Sequence, residues 1–171
     1  MVLVAALVAF GVPAFALDNA AYKLGTGDKV RVTVFNEPDL SGDFDVNDRG
    51  LLALPLIGNV EVQGKTLSEV QALVTSRYSS EYLVNPRISV EVLNYRPFFI
   101  IGEVRNPGSY PYVNGMTVIN AIALAGGYTS RAAKDRILLK RTVGNAAREQ
   151  RVPEDGAVLP GDVITVPERF F

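Results

Sequence analysis

One phrase stands near each end of the chain. Leu24-Gly25-Thr26-Gly27-Asp28-Lys29-Val30-Arg31-Val32 puts an apolar residue, two spacers and Gly-Asp ahead of alternating valines. Val158-Leu159-Pro160-Gly161-Asp162-Val163-Ile164-Thr165-Val166 repeats that pattern. Glycine turns the backbone cheaply, an aspartate carboxylate bonds nearby backbone, and a period of two marks a half-buried strand. The phrase therefore calls for a turn that opens a strand, and calls for it twice. On this reading Gly27, Asp28, Gly161 and Asp162 are architectural residues, and neither aspartate is a catalyst.

Between the two phrases the pattern changes period several times. Lys29 to Phe35 alternates, "NEPDLSGDF" follows as a loop, and Phe44–Val46, Leu51–Leu54 and Asn59–Val62 read as short strands. Thr66 and Glu69 form a capping-box signature ahead of Leu67, Val70, Leu73 and Val74, which share one face of a helix that should stop by Tyr82. Arg87 to Leu93 alternates again and closes a first lobe over residues 22–94, with Tyr95-Arg96-Pro97 as the junction.

The second lobe, residues 95–171, opens with a strand over Phe98–Val104. Pro107 and Gly108 are expected to make a turn, the proline fixing φ and the glycine supplying φ > 0, with Ser109–Val113 returning as the hairpin partner. Thr117 caps a short helix with Val118, Ile119, Ile122 and Ala125 facing inward, and Gly126-Gly127 ends it in the left-handed conformation. Ile137–Arg141 and Asp162–Val166 supply further strands. Hairpin, helix and strands resemble a β-grasp arrangement, and the class is α+β.

Composition narrows the chemistry. The 171 residues include no His, Cys or Trp, so a Ser-His-Asp triad, a thiol nucleophile, a disulfide and an ordinary zinc site are excluded. No cofactor is expected. A net charge of −1 argues against nucleic acid as the main partner. Residues 1–16, uncharged, apolar and ending in Ala14-Phe15-Ala16, read as a secretory signal peptide without its positive leading segment. The mature protein is then expected in the periplasm, starting near Leu17, and with no cysteine to carry a lipoprotein anchor.

Two phosphate-site lookalikes fail on spacing. Five residues separate Gly58 from Gly64-Lys65-Thr66 where a P-loop needs four, and Thr66 is explained by helix capping. Gly25-Thr26-Gly27 runs into a strand rather than out of one. The carboxylates Glu37, Asp39, Asp43, Asp45, Asp48 and Glu103 show no spacing that singles out a glycosidase pair. Lys134, Arg136, Lys140 and Arg141 read as a solvated strand edge, with contact to an anionic polymer or a partner as the alternative. Tyr95, Arg96, Tyr110, Tyr112, Tyr128 and Arg131 are candidate contacts with sugar rings or with a neighbouring subunit; Tyr95, Arg96, Tyr128 and Arg131 are favoured.

In order, the segments "YKLGTGDKVRVTVFNEPDLSGDF", "LPLIGNVEVQGKTLSEV" and "YLVNPRISVEV" resemble the export domain of the bacterial outer-membrane polysaccharide export family. "FFIIGEVRNPGSYPYVNGMTVINAIALAGGYT" and "LPGDVITVPERFF" resemble the soluble-ligand-binding β-grasp module that follows it. The resemblance implies a non-enzymatic role in exporting a capsular or exopolysaccharide. It implies a homo-oligomeric ring working with an inner-membrane polysaccharide co-polymerase. Larger relatives carry an acylated cysteine and a C-terminal amphipathic helix. A short periplasmic member, relying on a separate outer-membrane protein, is therefore expected here. Ring closure needs two different faces of each subunit to meet, with the β-grasp lobe packing beside its neighbour. The rivals are a monomeric carbohydrate-binding module and a polysaccharide-modifying enzyme.

Overall fold

The computed structural model describes residues 22–143 and 146–169. The signal peptide read at 1–16 lies outside the described residues. The first lobe consists of β1 (Lys29–Val34), β2 (Gly42–Asp45), β3 (Leu51–Leu54), β4 (Gly58–Glu61), α1 (Leu67–Glu81) and β5 (Ile88–Asn94). β1 is the centre of an antiparallel sheet between β2 and β5, while β3 and β4 form a separate hairpin. Its alternation is literal: Val30, Val32 and Val34 are buried, and Arg31 and Thr33 face water.

Helix α1 starts where the capping box predicts. The Thr66 hydroxyl accepts from the Glu69 amide at 3.3 Å, and the Glu69 carboxylate accepts from the Thr66 amide at 2.7 Å. These bonds satisfy two of the donors that a helix start leaves orphaned. The buried face carries Val70, Val74 and Tyr78, spaced by one turn each, with Leu67 and Leu73 half-buried at its margin. Each such side chain, fully buried, contributes about 1.5–3 kcal/mol of transfer free energy. The Tyr78 hydroxyl donates to the Pro55 carbonyl at 2.9 Å and fastens the helix to the β3–β4 hairpin.

The second lobe runs β6 (Phe98–Gly102), β7 (Gly108–Tyr110), α2 (Val118–Leu124), β8 (Leu138–Val143), β9 (Ala146–Arg151) and β10 (Val163–Val166). The five strands lie in the order β7-β6-β10-β8-β9, with β10 parallel to β6 and every other pair antiparallel. A hairpin, a helix across the sheet and a last strand laid parallel beside the first make the β-grasp pattern. Phe98, Ile100, Ile122, Ile137, Leu139 and Ile164 fill its core. The two lobes have separate hydrophobic clusters, one drawn from Leu24 to Val90 and the other from Phe98 to Val166. The α+β reading therefore holds.

Several details differ from the sequence reading. The loop after β1 contains a 3₁₀ turn over Pro38–Leu40 that buries Leu40. Gly108 does not adopt positive φ; it is the first residue of β7, paired with Ile100. The first hairpin strand ends at Gly102, φ +90°, rather than at Val104. A Cβ at Gly102 would lie 2.1 Å from the Val166 carbonyl oxygen, so close approach of β10 requires glycine there. Ile119, expected inward, is exposed, and Ala121 takes its place in the core. Gly126 and Gly127 do end α2 with φ of +81° and +85°.

Candidate functional site

The repeated phrase folds the same way both times. Gly27 and Gly161 have φ of +89° and +84°. Each aspartate accepts a backbone hydrogen bond from the residue three before it: Asp28 from the Gly25 amide and Asp162 from the Leu159 amide, both at 2.7 Å. Both side chains are buried, and each faces an arginine. Asp162 receives a bidentate pair from Arg141, 2.9 Å from Nε and 2.7 Å from Nη2. Arg141, read from sequence as part of a solvated strand edge, is thus an internal partner. Asp28 takes Arg96 Nη1 at 2.9 Å, the Arg96 amide at 2.9 Å and the Tyr22 hydroxyl.

The segment Tyr95-Arg96-Pro97, which joins β5 to β6, passes between these two turns. It is held by the first through the Arg96 amide and by the second through the Pro97 carbonyl, which accepts from the Gly161 amide at 3.1 Å. The Arg96 side chain fills the space between. A Cβ on Gly25 would lie 2.6 Å from its Nη1, and one on Gly161 would lie 2.7 Å from its Nε. Two Gly-Asp turns, one from each lobe, thus grip the segment that joins the lobes. That is the structural use of the repeat.

Beside this latch lies a cleft of about 300 Å³ walled by Tyr22, Tyr95 and Tyr112 from one side and by the segments around Asn114–Thr117 and Ala157–Leu159 from the other. The three tyrosines pack edge to face in a row, with centroids 5.0 Å apart from Tyr22 to Tyr95 and 5.2 Å from Tyr95 to Tyr112. All three are half-buried. Burial, and then the hydrogen bond to Asp28, pushes the Tyr22 phenol well above its ordinary pKa; burial also raises Tyr112.

Of the residues singled out in the sequence, Tyr95 and Arg96 come together here with Tyr112. Tyr128 and Arg131 sit elsewhere in the second lobe. The Tyr128 hydroxyl donates to Glu154 at 2.7 Å under the Lys134 ammonium, and Arg131 Nε donates to Glu168 at 2.7 Å. Tyr110 donates its hydroxyl to the Asn106 carbonyl and packs on Phe98. Tyr22 was missed. Its only sequence signal is its place six residues ahead of Asp28, within reach of a carboxylate that the turn points back. Among the described residues, no group of three carboxylates lies placed to hold a metal ion.

The two lobes match two known modules in one order. The family model described as polysaccharide biosynthesis/export protein matches residues 16–93, and the SLBB domain model matches residues 97–153. The chain belongs to the polysaccharide export family. It is 35% identical to the exopolysaccharide production protein ExoF of Rhizobium meliloti over 89% of this chain and 38% of that protein. It is 33% identical to the polysialic acid transport protein KpsD of Escherichia coli over 76% of this chain and 24% of that one. With the EPS I polysaccharide export outer membrane protein EpsA of Ralstonia nicotianae it shares 28% identity over 86% of this chain and 48% of the relative. The chain spans less than half the length of each of these relatives.

Proposed function

We propose that this chain is a non-enzymatic subunit of a polysaccharide export machinery, working in the periplasm as part of an oligomeric conduit or adapter. Residues 22–94 act as the export domain and 95–171 as the β-grasp domain. The observation that carries this reading is the succession of the two modules along this chain, together with 35% identity to an exopolysaccharide production protein over 89% of it. An inner-membrane co-polymerase delivers the polymer, and a separate outer-membrane protein completes its passage.

Physically, no reaction is needed. Walls made of repeated copies shield a hydrophilic polymer, and weak, multiple contacts let it slide. The β-grasp sheet supports assembly through its second face. Phe98 and Ile100 point to α2, so by alternation Phe99 and Ile101 point away, and they are 43% and 47% exposed. Val163 and Thr165 lie directly beside them in register. A monomeric carbohydrate-binding module is the second reading, and the tyrosine cleft is the observation that favours it.

The mass in solution separates the two. Native mass spectrometry of the purified chain across a concentration series is expected to show a discrete high-order species. Replacing Phe99 and Ile101 together by glutamate is expected to dissolve it into monomers. A strict monomer at every concentration, also with the co-polymerase's periplasmic domain present, would contradict assembly and leave the binding module.

A further inference from the structure

We infer that the cleft beside the Arg96 latch binds an uncharged pyranose ring of the polymer in transit, an inference that rests on the export reading. Three features of the cleft converge on that chemistry. The first is the wall. A pyranose offers an apolar face of C–H groups and a rim of hydroxyls, and the negative face of an aromatic ring suits the former. Tyr22, Tyr95 and Tyr112 line the cleft in a row, half-buried; the Tyr22 ring carries the Arg96 guanidinium, so Tyr95 and Tyr112 are the rings that meet the sugar.

The second is the polar rim. Among the described residues, the Tyr95 hydroxyl and the Asn114 amide have no hydrogen-bond partner within the chain, although both edge the cleft. An amide supplies two donors and an acceptor, and a phenol one of each, which is what vicinal sugar hydroxyls require. The third is charge. Among the described residues, no Lys, Arg, Asp or Glu lines the cleft, and the two guanidiniums that touch its lining, Arg96 at Tyr22 and Arg141 at Ala157, are paired with Asp28 and Asp162. A uronic or sialic acid would leave its carboxylate without the cation such groups are matched with. The cleft therefore selects neutral rings. Its volume sits at the low end of ligand cavities, about 300–1,000 Å³, so it grips one ring and leaves the chain free to advance.

The test uses the whole chain and a panel of neutral gluco-, manno- and galacto-oligosaccharides, with hexagalacturonate as the anionic comparison, titrated by NMR. Saturable, weak binding of at least one neutral probe is expected, with chemical-shift changes at Asn114 and Gly115. Tyr95→Ala and Asn114→Ala should each weaken it by about tenfold or more, and Tyr95→Phe by less. Tyr128→Phe, at a tyrosine that does not line the cleft, should leave it unchanged. Because Tyr95→Ala can disturb the junction, Asn114→Ala on the exposed rim keeps the test decisive. No saturable binding across the neutral panel overturns the inference, as does preference for hexagalacturonate or equal binding by Asn114→Ala. Polysaccharide export measured in cells carrying these variants keeps the two readings apart. Export that continues with a chain unable to bind sugar defeats the cleft alone, whereas export that continues without the chain defeats the export reading.

Discussion

Replacing Asp28 by alanine is expected to lower stability by about 3–5 kcal/mol, because it strips a buried network of the carboxylate at its centre. The side chain is fully buried and satisfies four groups at once: the Gly25 amide, the Arg96 amide, the Arg96 guanidinium and the Tyr22 hydroxyl. Removing it leaves the Gly25 amide, the Arg96 amide and the Tyr22 hydroxyl without their acceptor, and Arg96 without its counter-ion, its Nη1 keeping only the Tyr22 hydroxyl; each orphaned donor costs about 1–3 kcal/mol. Arg96→Lys also weakens the latch, since an ammonium cannot fill the planar space between Gly25 and Gly161. Asp45→Ala is the control. Asp45 is 73% exposed at 3.9 Å from Lys29, and its loss should change stability by less than about 0.5 kcal/mol. Urea unfolding followed by circular dichroism reads both. If Asp28→Ala and Asp45→Ala unfold at the same midpoint, the latch carries no stability.

Gly102→Ala should be comparably damaging, for a different reason. At φ +90° an L side chain is strained, a cost of about 1–3 kcal/mol by itself. The new Cβ would also meet the Val166 carbonyl oxygen at 2.1 Å, which forces apart the parallel β6–β10 pair at the centre of the β-grasp sheet. A total loss of at least about 3 kcal/mol is expected. Gly58→Ala isolates the backbone term, because Gly58 has φ +65° and nothing within 4 Å of its would-be Cβ. Its cost should stay near about 1–2 kcal/mol. Equal urea midpoints for the two variants would show that β10 can move aside.

What the sequence made legible follows from where the physics is local. β1, β3, β5 and α1 are visible in it because burial imposes a period on neighbouring residues, and Val30, Val32 and Val34 or Val70 and Val74 carry that period plainly. β9 is not visible. Its AAREQR is exposed at every position and is a strand only because β8 pairs with it. Ile119 misleads because a helix of seven residues has two turns and a face set by the sheet beneath it, not by the most apolar side chain. Gly108 misleads because Asn-Pro-Gly is turn chemistry, while the positive φ of this hairpin falls on Gly102, where β10 crowds the backbone.

The candidate site divides along the same line. The Gly-Asp turns are local and readable from their residues, as is the interest of Tyr95 and Arg96 at a junction. The partners are not. Arg96 lies 68 residues from Asp28 and 74 from Tyr22, and nothing near either end of those separations announces the other. Arg141, embedded in a run of basic residues, looks like surface until Asp162 is found beneath it.

Export itself is the most direct measurement. In the organism that carries this chain, cell-surface polysaccharide is compared between wild type, a strain lacking the chain, and that strain supplied with it again. Surface polymer is expected to disappear without the chain and polymer to accumulate behind the block, and the intact chain is expected to restore export while Asp28→Ala does not. Unchanged surface polysaccharide in the strain lacking the chain would contradict the export reading.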